Sequence, residues 1–134
     1  MQDNVITLAV DELNDDNTVN HVFTRFDDSF ANRSVYIGEN HQLTARDTLS
    51  LYRSFPKAAG NFPGVAKSSI KFSMDHVITG VDGISQLTSP IIVEVSFSVP
   101  VGIDTAAQLI ARQRAVALLD RDDVMVPLMN QLLV

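Results

Sequence analysis

Along the first hundred residues the apolar positions recur at every second place or in short runs. After residue 103 the period lengthens to that of a helix. Val5–Val10 is rich in strand formers. Residues 14–17 (Asn-Asp-Asp-Asn) form a turn cluster, because short polar side chains bond their own backbone and tolerate left-handed geometry. Val19 to Phe26 returns, so the pattern predicts a hairpin within residues 1–27. Ser34–Ile37 is a short strand between polar connections. Thr48–Phe55 is a strand stopped by Pro56, and Lys67–Val77 is its partner across the wide turn Lys57–Gly64. Thr79–Ser89, with two glycines, reads as a long mobile loop. Ile91–Val99 alternates most cleanly: Ile91, Val93, Val95, Phe97 and Val99 point one way, Ile92, Glu94, Ser96 and Ser98 the other.

Asp104 is a good N-cap, and Thr105–Leu119 contains no Gly or Pro, so a helix about 22 Å long is expected there. Its apolar residues are not confined to one stripe. Ala106, Leu109, Ile110, Val116 and Ala117 share a face, while Ala107, Ala111 and Leu118 lie nearly opposite. Permissive alanines with one exposed Leu account for this, and so does a helix sandwiched between its own sheet and a second subunit. Asp120–Asp123 breaks the helix, and Pro127 can start a second short one at its first position. Strands first and helices only at the end make an α+β fold, a sheet with one face for the helices and the other polar.

Length bounds this reading to one domain, residues 1–134, able to bury roughly two-thirds of its unfolded surface. There is no cysteine, which excludes disulfides, thiol catalysis and thiolate metal sites. The N-terminal residues lack the regions of a signal peptide, and no apolar run approaches the ~20 residues of a membrane span. His21, His41 and His76 are scattered and form no spaced metal motif. The acidic clusters at residues 11–16, 27–28 and 120–123 read as solvated turns; the first lacks the Gly and terminal Glu of a calcium loop, and the alternative there is a weak calcium site between subunits. No nucleophile elbow or phosphate loop is present, and nothing asks for an enzyme, a cofactor or a metal.

Charge changes the picture. The formal net charge is −6, yet residues 46–71 hold five of the ten basic residues and one of the sixteen acidic ones. That segment, with Arg46, Arg53, Lys57, Lys67, Lys71 and Asp47, is +4. Parity places Arg46, Thr48, Ser50, Tyr52, Lys67, Ser69, Lys71 and Ser73 on one face, with Arg53 on the other. Lysine and arginine neutralise phosphates, Ser and Thr hydroxyls bond base edges and phosphates, and an exposed tyrosine can stack a single-stranded base. The competing reading is a sheet face that carries Lys, Ser and Thr simply to be wetted.

With these residues in place, the layout resembles the coat proteins of single-stranded RNA bacteriophages over essentially the whole chain. The family's basic-x-Thr-x-Ser strand matches Arg46-x-Thr48-x-Ser50, and its Lys-x-Thr-x-Lys strand matches Lys67-x-Ser69-x-Lys71. Glu94–Ser98 and Gln108–Ala111 are also similar. The resemblance implies an N-terminal hairpin (1–27), a five-stranded antiparallel sheet (34–99) and two C-terminal helices (104–134). It implies an interlocked homodimer with one continuous sheet, in which Leu109, Val116 and Leu118 meet the partner. It further implies an icosahedral shell assembled in the bacterial cytoplasm, its inner sheet face on single-stranded genomic RNA, with operator-hairpin binding and translational repression among its roles. Where the family has a stacking tyrosine and a base-contacting asparagine on the last strand, this chain has Pro90 and Ile92. The alternative from another class is a non-viral α+β module that binds nucleic acid or a small ligand on the same sheet face.

Overall fold

A computed structural model describes residues 2–134. The element order is β1 (Val5–Val10), β2 (Val19–Asp27), β3 (Arg33–Gly38), β4 (Asp47–Ser54), β5 (Val65–Thr79), β6 (Gln86–Pro100), α1 (Thr105–Leu119) and α2 (Asp122–Gln131). The strands form one sheet in the order β1-β2-β3-β4-β5-β6. The sheet therefore has six strands, where a hairpin beside a five-stranded sheet was expected. The main region supplies four strands, β3 to β6, and the hairpin adds two because β2 pairs with β3 through Phe23↔Gly38, Thr24↔Ile37 and Arg25↔Tyr36, which makes it continuous with the main sheet. The register then slips between Arg25 and Asp27, inserting Phe26 as an extra residue that sends Arg25 and Asp27 to opposite faces.

Two compact units divide the chain: residues up to Phe55 with Ala66–Ser98, and Pro56–Val65 with Val99–Val134. In the first, the core is Phe23, Tyr36 and Leu49, with Ile6, Leu8, Leu51 and Phe72 packed against it. Tyr36 is fully buried, and its hydroxyl donates to the Asp3 carbonyl at 2.7 Å and accepts from Arg25 Nη2 at 3.0 Å. Gly38 is required by a close approach: a Cβ there would lie 2.1 Å from Asp47 Oδ2.

The β1–β2 turn behaves as its composition predicts. Asn14 and Asp16 adopt positive φ, and the Asp11 carboxylate accepts the Asp15 and Asp16 amides, each at 2.9 Å. The connection after β5 is shorter than expected. Only residues 80–85 are turn, because Asp82 clamps them. Its carboxylate accepts the Ile84 amide at 3.0 Å, the Ser85 amide at 2.8 Å and the Ser85 hydroxyl at 2.5 Å, with Gly83 at φ +74°. With the turn so closed, β5 runs on to Thr79 and β6 starts at Gln86.

In the second unit, α1 has the predicted bounds, and Asp104 caps it by accepting the Ala107 amide at 2.6 Å. Pro127 lies inside α2 and does not begin it. The helix starts five residues earlier, where Asp122 and Asp123 suit the positive end of the helix dipole and Arg121 ion-pairs with Asp123. No residue of either helix is buried. Neither helix is long and apolar enough to cross a membrane.

Candidate nucleic-acid interface

The polar surface is built by the pairing of β4 with β5. Directly opposed residues in an antiparallel pair point to the same side of the sheet. The register sets Thr48 against Ser73, Ser50 against Lys71, Tyr52 against Ser69 and Ser54 against Lys67. Thr48, Ser50, Tyr52, Lys67, Ser69, Lys71 and Ser73 thus share one face. The opposite face carries Leu49 against Phe72 and Leu51 against Ile70, and Leu49 and Phe72 join the core there. Arg53, paired with Ser68, falls on that apolar side; its guanidinium donates to the Ala31 carbonyl at 2.6 Å.

Lys67 is exposed and Lys71 half-buried, and neither is ion-paired among the described residues. Arg46 sits one place before β4. Its amide donates to the Asp75 carboxylate at 3.0 Å, and its carbonyl accepts the Asp75 amide at 2.8 Å. A carboxylate therefore stands beside the first cation of the row.

Three neighbours on this face escape a reading limited to the two motifs. Ser54 continues the hydroxyl row opposite Lys67. Asp75 follows Ser73 in parity and was legible from the alternation of β5. Arg33 pairs with Tyr52, which adds a fourth cation to the side bearing Arg46, Lys67 and Lys71. It lies one residue before the strand expected at Ser34, so no parity attached to it. Val35 and Ile37, opposite Ser50 and Thr48, give the same face an apolar margin.

The histidines stay apart. His21 Nε2 lies 2.5 Å from Glu12 Oε1, and His41 Nδ1 accepts the Asp47 amide at 3.1 Å. Among the described residues, no group of three or more His, Cys, Asp or Glu is placed to hold a metal ion. Leu109, Val116 and Leu118 lie along α1, each about half exposed, so both of its apolar sides are open to solvent.

No protein-family model and no curated protein matches the chain. Solved structures do. The virus-like particle of bacteriophage AVE019 superposes with a TM-score of 0.75 at 18% identity, covering 97% of this chain and 96% of that one. The virus-like particle of Beihai levi-like virus 21 gives a TM-score of 0.73 at 10% identity, over 100% and 98% of the two chains. The bacteriophage EMS014 coat protein gives 0.62 at 14% identity, over 88% and 74%.

The fold is that of the levi-like coat proteins. At these identities the likeness lies in the strand and helix order, and it spans nearly the whole chain. The structures named are two virus-like particles and a phage coat protein. In this coat-protein fold the row described above occupies the interior strands β4 and β5, and β6 is an edge strand.

Proposed function

We propose that the chain is the subunit of a self-assembling shell that encloses single-stranded RNA. Two copies pair through the β6 edges into one continuous sheet, and the helices of each copy cover the apolar sheet face of the other. Dimers then close into an icosahedral shell with the polar face of β4 and β5 turned inward.

The observation that carries this reading is what a single chain leaves uncovered. Among the described residues the only buried hydrophobic side chains are Phe23, Tyr36 and Leu49. Leu109, Ile110, Val116, Leu118 and Leu119 stay about half exposed on α1, as do Ile91, Ile92 and Val93 on β6. Apolar surface of this extent marks an interaction site. A 15-residue edge strand with free backbone groups invites pairing with another chain. The polar face supplies Arg33, Arg46, Lys67 and Lys71 beside Thr48, Ser50, Tyr52, Ser69 and Ser73, a mixture suited to phosphates, sugars and stacked bases. The copies together hold the RNA, because each contributes only a few cations.

Operator-hairpin recognition, if this shell uses it, draws on Tyr52 for stacking, since Pro90 and Ile92 stand on the last strand. The shell assembles in the cytoplasm of a bacterial host and becomes the virion capsid.

Expression of the chain alone in bacteria, followed by size exclusion and negative-stain imaging, tests the reading. Closed particles containing RNA are expected. Small oligomers only, across salt and pH, would sink it and favour the module that binds nucleic acid or a small ligand.

A further inference from the structure

The two central registers run one row across three strands: Arg33 opposite Tyr52, and Tyr52 opposite Ser69. Tyr52 is the one aromatic side chain that the listed pairs of β3, β4 and β5 put on the polar face. Arg33 stands beside it on β3. Lys67 and Lys71 flank Ser69 at two residues either way, about 7 Å along β5. A ring set among cations in this way is the platform on which single-stranded nucleic acid stacks.

Arg33 differs from the arginines near it. The Arg25 guanidinium donates to the Gln2 and Asp3 carbonyls and to the Tyr36 hydroxyl, and that of Arg53 to the Ala31 carbonyl and Asn32 Oδ1. Arg33 has no hydrogen-bond acceptor and no ion pair among the described residues. Its Nε is buried, so the two Nη atoms are the end that solvent reaches. The guanidinium lies 4.2 Å from the centroid of the Phe30 ring. Stacking of this kind holds the planar fork in one orientation before an acceptor arrives. Asp27, which its pairing with Val35 puts on the same side, does not fill the fork. Its carboxylate accepts the Ser29 amide at 2.8 Å and the Ser29 hydroxyl at 2.6 Å.

An oriented guanidinium with both Nη atoms free matches two oxygens of a phosphate, which the point charge of a lysine cannot do. Directly opposed side chains leave their strands about 5 Å apart. A single nucleotide bridges that gap between its phosphate and its base. We infer that Arg33 and Tyr52 form a one-nucleotide clamp for single-stranded RNA, with the Arg33 fork on a backbone phosphate and the Tyr52 ring stacked on the adjoining base. Every base has a π-face, so the clamp grips the strand whatever its sequence. It is a packaging contact rather than a reader of one hairpin. The inference rests on the RNA-facing role proposed above for this side of the sheet.

The full chain, freed of nucleic acid, is titrated with a single-stranded oligouridylate over a salt series, and in parallel with an abasic oligomer of the same length. The chain has two tyrosines and no tryptophan, and Tyr36 is fully buried, so quenching of tyrosine emission reads Tyr52. The oligouridylate is expected to quench it and the abasic oligomer to leave it unchanged. Tyr52→Leu is expected to weaken oligouridylate binding about ten-fold and abasic binding not at all. Arg33→Lys keeps the charge but not the fork, and is expected to weaken both oligomers about five-fold with an unchanged salt slope. Arg33→Gln is expected to lower the slope as well, by about 0.7. An Arg33→Lys chain that binds as tightly as wild type, or oligouridylate bound without quenching, overturns the clamp and leaves an RNA-binding face that works through its lysines. A wild-type chain that binds neither oligomer overturns both this inference and the RNA-facing role on which it rests.

Discussion

Lys67 and Lys71 have the cleanest position of any basic residues in the chain. Each stands opposite a serine on the polar face, and neither is spoken for by a carboxylate. A lysine that neutralises a phosphate releases counterions, so its loss lowers the salt dependence of binding and the affinity together. Lys67→Ala and Lys71→Ala are each expected to weaken RNA binding and reduce the slope of log affinity against log salt by about 0.7 per lost contact on a single strand. Binding titrations over a salt series measure this, and an unchanged slope would mean that these lysines only solvate the sheet. Their placement was legible because strand parity has a period of two and both motifs lie inside long strands. Arg33 was not, since a residue at a loop–strand boundary has no parity until the pairing with Tyr52 assigns one.

Among the elements, the 80–85 turn departs most from expectation. Two glycines suggested a long mobile loop, but glycine content does not reveal a side chain that closes the loop on itself. Asp82 does so, and the hydroxyl and amide of Ser85 and the amide of Ile84 hold its carboxyl at about 2, below the ordinary 3.8. A carboxyl whose pKa is depressed by folding contributes stability above its unfolded value and loses that contribution as pH falls through the folded value. The turn is therefore expected to be fully clamped above about pH 4 and released between 3.8 and about 2. Hydrogen exchange at the Ile84 and Ser85 amides reads this directly. Asp82→Ala should show fast exchange at both amides at neutral pH, and slow exchange there would remove the clamp from the account. α1 is the opposite case: an N-cap at Asp104 and an uninterrupted Ala- and Leu-rich run state both of its ends, so its bounds followed from local chemistry. Pro127 misled because its tolerance at a first helical position is only a preference, and the paired acids upstream provide a better start.

At the scale of the whole molecule, the strand order and the two terminal helices were readable from hydrophobic period alone. The joining of hairpin and sheet was not. It depends on the β2–β3 register and a bulge at Phe26, both set by pairing between distant segments. The apolar residues on two sides of α1 belong to this scale too, since one chain leaves Leu109, Val116 and Leu118 about half exposed. Leu118→Asp places a charge on the side opposite Leu109 and Val116. It is expected to give folded chains that fail to dimerise, as light scattering after size exclusion would show. A folded variant that still dimerises would take that side of the helix out of the interface.

The three-residue core also bears on how the chain survives synthesis. Phe23, Tyr36 and Leu49 are the buried hydrophobic side chains among the described residues of a 134-residue polypeptide, and in the proposed dimer the rest of its apolar burial waits on a second molecule. Folding and association then become one equilibrium, and mass action makes the unfolding midpoint climb with the chain's own concentration. A dilute population, early in synthesis, is the vulnerable one, exposed to proteases and to off-pathway aggregation. For the proposed dimer, rapid, abundant production is thus itself a stabilising condition.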